Sequence, residues 1–407
     1  MSQSERVEPK FLLVELHNHA HLRTVFGASL AHETMRILQL RVQFCGGSVT
    51  EIGEARFLVS FLKSASPAAS TPGMGSLPRL ERLQIELAAS LVTESGSWVL
   101  PMVTVDPVRP GLLGGESGGF LHYPEKVERV SAAGSPIRVP QFGSEWRESY
   151  ERDMALAVAF ERAIAHGRVS LVTQPIVRLD QHSTLLYSEA LLRVSGLPDG
   201  AGAARLIPVL ERLGFVRALD RIVVSNVIGR LEADSSAILG CNISACSLVM
   251  DSWWLSTFDR LMADSDVAAR LTIEITETAP IADFDAAINF ARRLKDLGCR
   301  ISLDDFGEGH SSVSFARAIR PDVIKLYDGW VRGNWRGDDE MSVLHRLAAL
   351  CGALAPCVVA EGIECEEDLQ KVFGSGIDWI QGEIIQPSWK GSHILLNRET
   401  IELLTER

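Results

Sequence analysis

The sequence predicts a (β/α)8 TIM-like barrel preceded by a smaller α+β domain, and three observations carry that prediction. Apolar, strand-like runs recur between residues 169 and 385, and nearly every one ends in a carboxylate, amide or amine. The segments between them carry helical apolar spacing. Residues 1–105 have a different rhythm, and a stretch rich in Gly, Pro and Ser, residues 106–145, separates the two parts as a linker. Strand–helix alternation over about 240 residues has the size and period of a (β/α)-barrel.

In the first part, Lys10–Leu16 reads as a strand, Phe26–Phe44 as an amphipathic helix and Glu54–Leu62 as a second strand. Leu77–Leu91 follows as a second helix and Trp98–Val105 as a third strand. His17, His19 and His21 alternate, which on a strand would put three imidazoles on one face. A solvated strand end accounts for them more simply than a metal or haem site. Beyond the linker, the third part spans 146–407, its first helix beginning at the boundary as Glu145–His166. The strands that follow are Tyr187–Arg193, Ile238–Ser244, Leu271–Glu277, Arg300–Phe306, Val323–Tyr327, Cys357–Ile363 and Trp379–Ile385. Helical patterns fall at Ala203–Leu213, Asp220–Leu231, Asp283–Leu297, Glu340–Leu354 and Glu366–Gly374.

A net charge of −12 with no long basic stripe argues against a nucleic-acid polymer as partner. No apolar run approaches the roughly 20 residues that span a bilayer, and MSQSERVEPK lacks the apolar core of a signal peptide. The expected location is the cytoplasm. Seven cysteines without paired spacing fit that compartment, and Cys351, Cys357 and Cys365 read as small thiols rather than a zinc site.

The strand ends carry the chemistry. Charges closing apolar runs are costly to dehydrate and need a joint purpose. In a barrel they converge on one rim, where Glu189, Asn242, Glu274, Asp304, Asp305 and Glu361 form an oxygen-rich bowl. Hard divalent cations prefer such oxygen donors. Trp253 and Trp254, after the Asn242 strand, read as barrel packing rather than as a base-stacking platform.

Several separated motifs occur in order: Gln174-Pro-Ile176, Glu189-Ala-Leu-Leu-Arg193, Asn242-Ile-Ser244, Glu274-Ile-Thr-Glu277 and Asp304-Asp-Phe-Gly307. Lys325, Ala360-Glu-Gly-Ile-Glu364 and Gln381-Gly382 complete them. Together they resemble the EAL-domain family of cyclic di-GMP phosphodiesterases, over about residues 150–395. The resemblance implies metal-dependent hydrolysis of cyclic di-GMP to linear pGpG with two divalent ions, Mg2+ or Mn2+. It assigns Glu189, Asn242, Glu274, Asp304 and Asp305 to the metals. By the same resemblance Glu361 and Lys325 would act with Asp305 in catalysis, Glu361 as proton acceptor and Lys325 as a fixed cation. Gln174, Arg193 and Gln381 would meet the substrate, and Glu277, Glu308 and Glu364 would support the site. A two-metal centre, with ions about 3.5–4 Å apart, holds a phosphodiester oxygen and the attacking water together. The alternative is a catalytically silent cyclic di-GMP receptor that signals through a protein partner. The family also implies a homodimer.

Some positions depart from the family pattern. The loop after Asp305 reads FGEGHSS, with Glu308 in place of a threonine and His310 in place of an aromatic residue. Tyr327 stands where an aspartate is common, and Glu383 where an aromatic is usual. None removes a matched ligand, so they bear on rate, metal preference and regulation. The first part resembles a degenerate GGDEF domain, with Gly53-Glu-Ala-Arg-Phe57 at the signature position. Ala55 and Arg56 cannot hold Mg2+, and the first strand offers Glu15 and His17 instead of two aspartates.

Overall fold

In the computed structural model, an apolar run early in the chain forms β1 (Phe11–Leu16), whose central residues are buried. The helices α1 (His19–Phe26) and α2 (Ala28–Phe44) follow, then β2 (Gly47–Gly53) and β3 (Arg56–Phe61). The short pair β4 (Leu91–Val92) and β5 (Trp98–Val99) precedes β6 (Val103–Pro107). β2, β3, β1 and β6 form an antiparallel sheet in that order. The structure describes residues 11–61, 83, 87, 89–93, 96–107, 144–276, 278–308, 313–333, 340–388 and 393–395. Most of the expected Leu77–Leu91 helix and of the linker therefore lies outside the described residues, as do Glu277 and His310. The chain divides into two compact units, 1–162 with 404–407, and 163–403.

Three expectations for the first part need correction. The single helix Phe26–Phe44 is broken at Gly27, whose φ of 93° a residue with a Cβ rarely adopts. The strand Trp98–Val105 is two strands. The three histidines do not share a strand face, because the chain leaves the sheet after Leu16. There the Asn18 side chain donates to Leu100 O and accepts from Met102 N, while Leu22 N bonds to Asn18 O and opens α1. His19 and His21 are thus helical. His17 shares a hydrogen bond with Thr104, and His21 is buried and stacked on Tyr150. Tyr150 belongs to α3 (Ser144–Ala165), which the sequence assigned to the third part. The division between the compact units falls near its end, between Arg162 and Ala163.

The second unit begins with β7 (Val169–Arg178) and β8 (Leu185–Val194), followed by α4 (Ala203–Leu213) and α5 (Val216–Ala233). Strand and helix then alternate through β9 (Leu239–Ser244), α6 (Ser252–Ala263), α7 (Ser265–Arg270), β10 (Leu271–Thr276), α8 (Phe284–Asp296) and β11 (Arg300–Phe306). α9 (Val313–Ile319), β12 (Val323–Leu326), α10 (Gly329–Arg332), α11 (Glu340–Gly352), β13 (Cys357–Ala360), α12 (Glu366–Val372) and β14 (Trp379–Ile380) complete the cycle. β14 pairs back onto β7 and closes an eight-stranded barrel, with β15 (His393–Leu395) added at the outer edge of β7. Local signals explain the helix ends. Asp251, Asp264 and Asp283 each accept a backbone N–H of the following first turn, and Gly214 ends α4 in the left-handed conformation. The strands read as apolar runs because both faces are covered: every residue of β12 is buried, as are five of the six in β10.

The barrel is not all-parallel, as the sequence led us to expect. β8 to β14 run parallel, but β7 is antiparallel to both of its neighbours. The physical reason is the connection. Residues 179–184 form a tight turn closed by Arg178 N to Thr184 O and Thr184 N to Gln181 O, and a parallel crossover needs a dozen or more residues.

Candidate active site

The inward-facing ends of β8 to β13 build the site. Glu189 on β8, Glu274 on β10 and Asp304 on β11 are buried, with one oxygen of each within 4.8 Å of the others. Lys325 on β12 is fully buried at the centre. Its Nζ lies 2.8 Å from Glu189, 3.0 Å from Glu274, 2.8 Å from Asp304 and 2.8 Å from Glu361. Burial alone would lower the lysine pKa, but Asp304, Glu189, Glu274 and Glu361 outweigh it and hold the ammonium charged.

One ammonium does not balance the acids. Burial raises Glu274 well above the usual carboxylate range, and Glu189 raises it further. Glu361 is raised by burial and then by Asp304, and Asp305 is pushed to about 7 by burial and Asp304. Glu189 differs. Burial would raise it, but the Lys325 charge and hydrogen bonds from Lys325, Gln381 and Asn242 hold it below the usual range.

Asp304 and Asp305 are consecutive, and on a regular strand they would face opposite sides. A bulge resolves this: between Leu303 and Phe306, β11 uses one more residue than β12. Asp305 absorbs it at φ 51°, a left-handed conformation that aspartate tolerates better than most residues. Its carboxylate consequently feels Asp304, Lys325 and Glu189.

Gln381, beyond β14, donates 2.6 Å to Glu189 Oε2 and 3.1 Å to Gln174 Oε1 on β7. The two glutamines, expected at the substrate, thus form a chain that fixes Glu189. Asn242 Nδ2 donates to Glu189 Oε1, which turns its own Oδ1 away. Asn242 Oδ1 and Glu274 Oε1 are buried and find no protein hydrogen-bond partner. An acid-and-amide oxygen set with orphaned acceptors fits a hard divalent cation.

Other expected residues stand further out. Arg193, on the face of β8 shared with Glu189, is exposed at the rim and donates to the Leu192 carbonyl. Glu364 is exposed and ion-paired with Arg332 of α10, which also donates to Gly362 O, so the pair braces the turn after Glu361. Glu308 is exposed beside Asp305, and it joins Asp328 in raising the Tyr327 phenol, with which it forms a hydrogen bond. Trp253 and Trp254 are buried, and Trp254 packs edge-on against Phe290. In the first unit, Glu15 is paired with Arg56 and Glu54 with Arg23.

Sequence reasoning missed a polar brace behind the rim. Glu211 of α4 accepts from Ser244 at the end of β9 and from Thr278 after β10. Asp220 of α5, buried, accepts from Ser244 N and from Ser247. Ser244, the last residue of the Asn242 motif, was the available signal.

The EAL domain family matches residues 157–388, more than half of the chain. The chain belongs to the EAL-domain family. An "Uncharacterized signaling protein" of Caulobacter vibrioides is 27% identical over 382 residues, covering 90% of this chain and 44% of that protein. The "Cyclic di-GMP phosphodiesterase PdeF" of Escherichia coli is 26% identical over 238 residues, 57% of this chain and 31% of its own length. This EAL-domain chain thus spans less than half the length of either relative. The solved EAL domain of Xanthomonas citri FimX, in complex with c-diGMP, aligns with a TM-score of 0.50 at 20% identity, over 62% of this chain and 99% of that one. It shares the barrel fold. Among the described residues, no helix of this EAL-domain chain is long and apolar enough to cross a membrane.

Proposed function

We propose that the protein hydrolyses cyclic di-GMP to linear pGpG with two divalent cations, Mg2+ or Mn2+, held by Glu189, Asn242, Glu274, Asp304 and Asp305. The observation that carries this reading is the buried oxygen cluster itself, with Asn242 Oδ1 and Glu274 Oε1 lacking protein partners. Leaving such acceptors buried without a cation or donor is costly. The relatives' names support the choice of dinucleotide. When bound, two such ions polarise the phosphodiester and acidify the attacking water.

The chain's own groups do the rest. Glu361, its pKa raised by burial, accepts the proton of the attacking water. Lys325 holds Glu361 and the ligand carboxylates in register and keeps a fixed positive charge at the cleavage point. Gln381 and Gln174 orient Glu189, and Arg193 at the rim receives a phosphate of the dinucleotide. Residues 1–105 serve as a degenerate GGDEF-like domain, joined by a 106–145 linker to a 146–407 barrel that pairs as a homodimer in the cytoplasm.

The test is to incubate the purified protein with cyclic di-GMP and Mg2+ or Mn2+, separate the nucleotides, and run Glu189→Ala in parallel. Formation of pGpG that is lost in the variant supports the enzyme. Binding without turnover in either metal overturns it and leaves the receptor reading, with a protein partner to be found.

A further inference from the structure

A second polar layer lies directly beneath the acid cluster, inside the barrel. Tyr187 stands two residues before Glu189, Thr272 two before Glu274 and Ser302 two before Asp304. Side chains two apart on a strand share a face, so these three hydroxyls point into the barrel one level deeper. All three residues are 0% exposed. Thr272 Oγ1 lacks a hydrogen-bond partner in the protein, as does Glu274 Oε1 above it, while the Tyr187 and Ser302 hydroxyls lie near each other without a well-formed bond between them.

Gly240 on β9 shapes this layer. A Cβ at Gly240 would lie 2.5 Å from Glu274 Oε1 and 2.5 Å from Tyr187 Cε2. The tyrosine ring therefore occupies the space that a side chain on β9 would fill, and its edge comes close to the Glu274 carboxylate. Ser302 is adjacent in register, its Cα paired with that of Glu274, and Thr272 is paired with Gly240. The other inward neighbours at this depth, Ile176, Val323 and Val359, are apolar and buried against the Tyr187 ring. Burial, and next Glu274, raise the phenol well above its ordinary pKa, so it stays protonated and can donate.

Four buried polar atoms in one enclosed layer call for a shared partner, and a site with two to four polar partners is what a buried water requires. We propose that Tyr187, Thr272 and Ser302 hold an ordered water beneath Glu274, and that this water positions the Glu274 carboxylate for cation binding. Tyr187 is thereby a positioning residue acting through the water, and Gly240 is the residue that admits it. Only the second half of this inference rests on reading Glu274 as a metal ligand.

The test is thermal melting of the metal-free protein in EDTA, followed by titration with Mn2+ alone. Tyr187→Phe and Thr272→Val should each lower the barrel's melting temperature by about 3 °C, and the double variant should lose less than the sum, because both act on one water. Tyr187→Phe should also weaken the Mn2+ response by about 10-fold or more. An unchanged or raised melting temperature in Tyr187→Phe overturns the water, since removing a dry, orphaned hydroxyl is neutral or stabilising. Should Tyr187→Phe not fold, Thr272→Val carries the same sign test. Melting without metal is independent of turnover. Failure here with pGpG formation intact removes the water alone, and loss of turnover with the melting pattern intact removes only the hydrolysis reading.

Discussion

Lys325→Met removes the single cation that four carboxylates share. Each contact of 2.8–3.0 Å represents an attraction of about 6 kcal/mol at an effective dielectric of 20. Desolvation of the ammonium offsets much of this. Removing one partner of a buried ionic network costs about 3–5 kcal/mol net. For a unit the size of the barrel, 1 kcal/mol shifts the melting temperature by about 2–4 °C, so the metal-free variant should melt roughly 10 °C lower. The carboxylates left behind would take up protons, and a divalent cation would displace them. Mn2+ should therefore raise the melting temperature more in Lys325→Met than in the parent protein, restoring roughly half of the loss. Scanning calorimetry at pH 8, in EDTA and then in excess Mn2+, follows the barrel transition directly. A variant that melts within about 2 °C of the parent in EDTA, or one whose Mn2+ response is the smaller, would refute the idea that Lys325 substitutes for cationic charge.

Asp220 gives a pH prediction. Its pKa is raised, first by burial, from 3.8 to about 7, so the folded state binds that proton more tightly than the unfolded chain. Its contribution is complete below pH 4 and is lost as pH rises through about 7, a change of about 4 kcal/mol. Asp220→Asn has no such dependence, and its stability relative to the parent should improve between pH 5 and pH 8, measured by urea unfolding; a pH-independent difference would contradict this. Gly240→Ala, with its Cβ 2.5 Å from Glu274 Oε1 and the Tyr187 ring, should destabilise the barrel by about 1–3 kcal/mol, read as a shift in the urea midpoint. Gln381→Leu deletes a donor 2.6 Å from Glu189 and should weaken Mn2+ binding about 10- to 100-fold, read by calorimetric titration. A chain begun at Ala163 retains all eight barrel strands and should fold alone, with a cooperative melt and the same strand content by circular dichroism.

Much of the site was legible because apolar strands rarely end in Glu, Asn, Asp or Lys without a reason that the barrel supplies. Glu189, Glu274, Asp304, Lys325 and Glu361 were marked in that way, and the structure brings all five together. What stayed hidden depended on packing partners far apart in sequence. β7 carries the same alternation in either direction, and only the short turn to β8 reverses it. Gln381 and Gln174 read from the sequence as substrate contacts, and nothing there announces their 3.1 Å bond or the bond from Gln381 to Glu189. Asp305 was placed in the bowl beside Asp304, but the bulge between Leu303 and Phe306 that lets consecutive residues share that side leaves no mark in the sequence. His17, His19 and His21 misled for the opposite reason: their alternation suits a strand, but the hydrogen bonds of Asn18 divert the chain into a helix.

The reversal of β7 also decides where the polypeptide joins the barrel. Val169, the first residue of β7, pairs with Val194, the last of β8, and Ser170 pairs with Arg193. Arg168 O accepts the N–H of Ser195 just beyond. An all-parallel barrel would receive its chain at the floor, the full height of the sheet away from the chemistry. Here the chain enters the barrel at the edge where the strand-end carboxylates lie. The segment that follows α3 is thus held at the mouth of the barrel by Val169, Ser170 and the Arg168 carbonyl, which accepts both the N–H and the hydroxyl of Ser195.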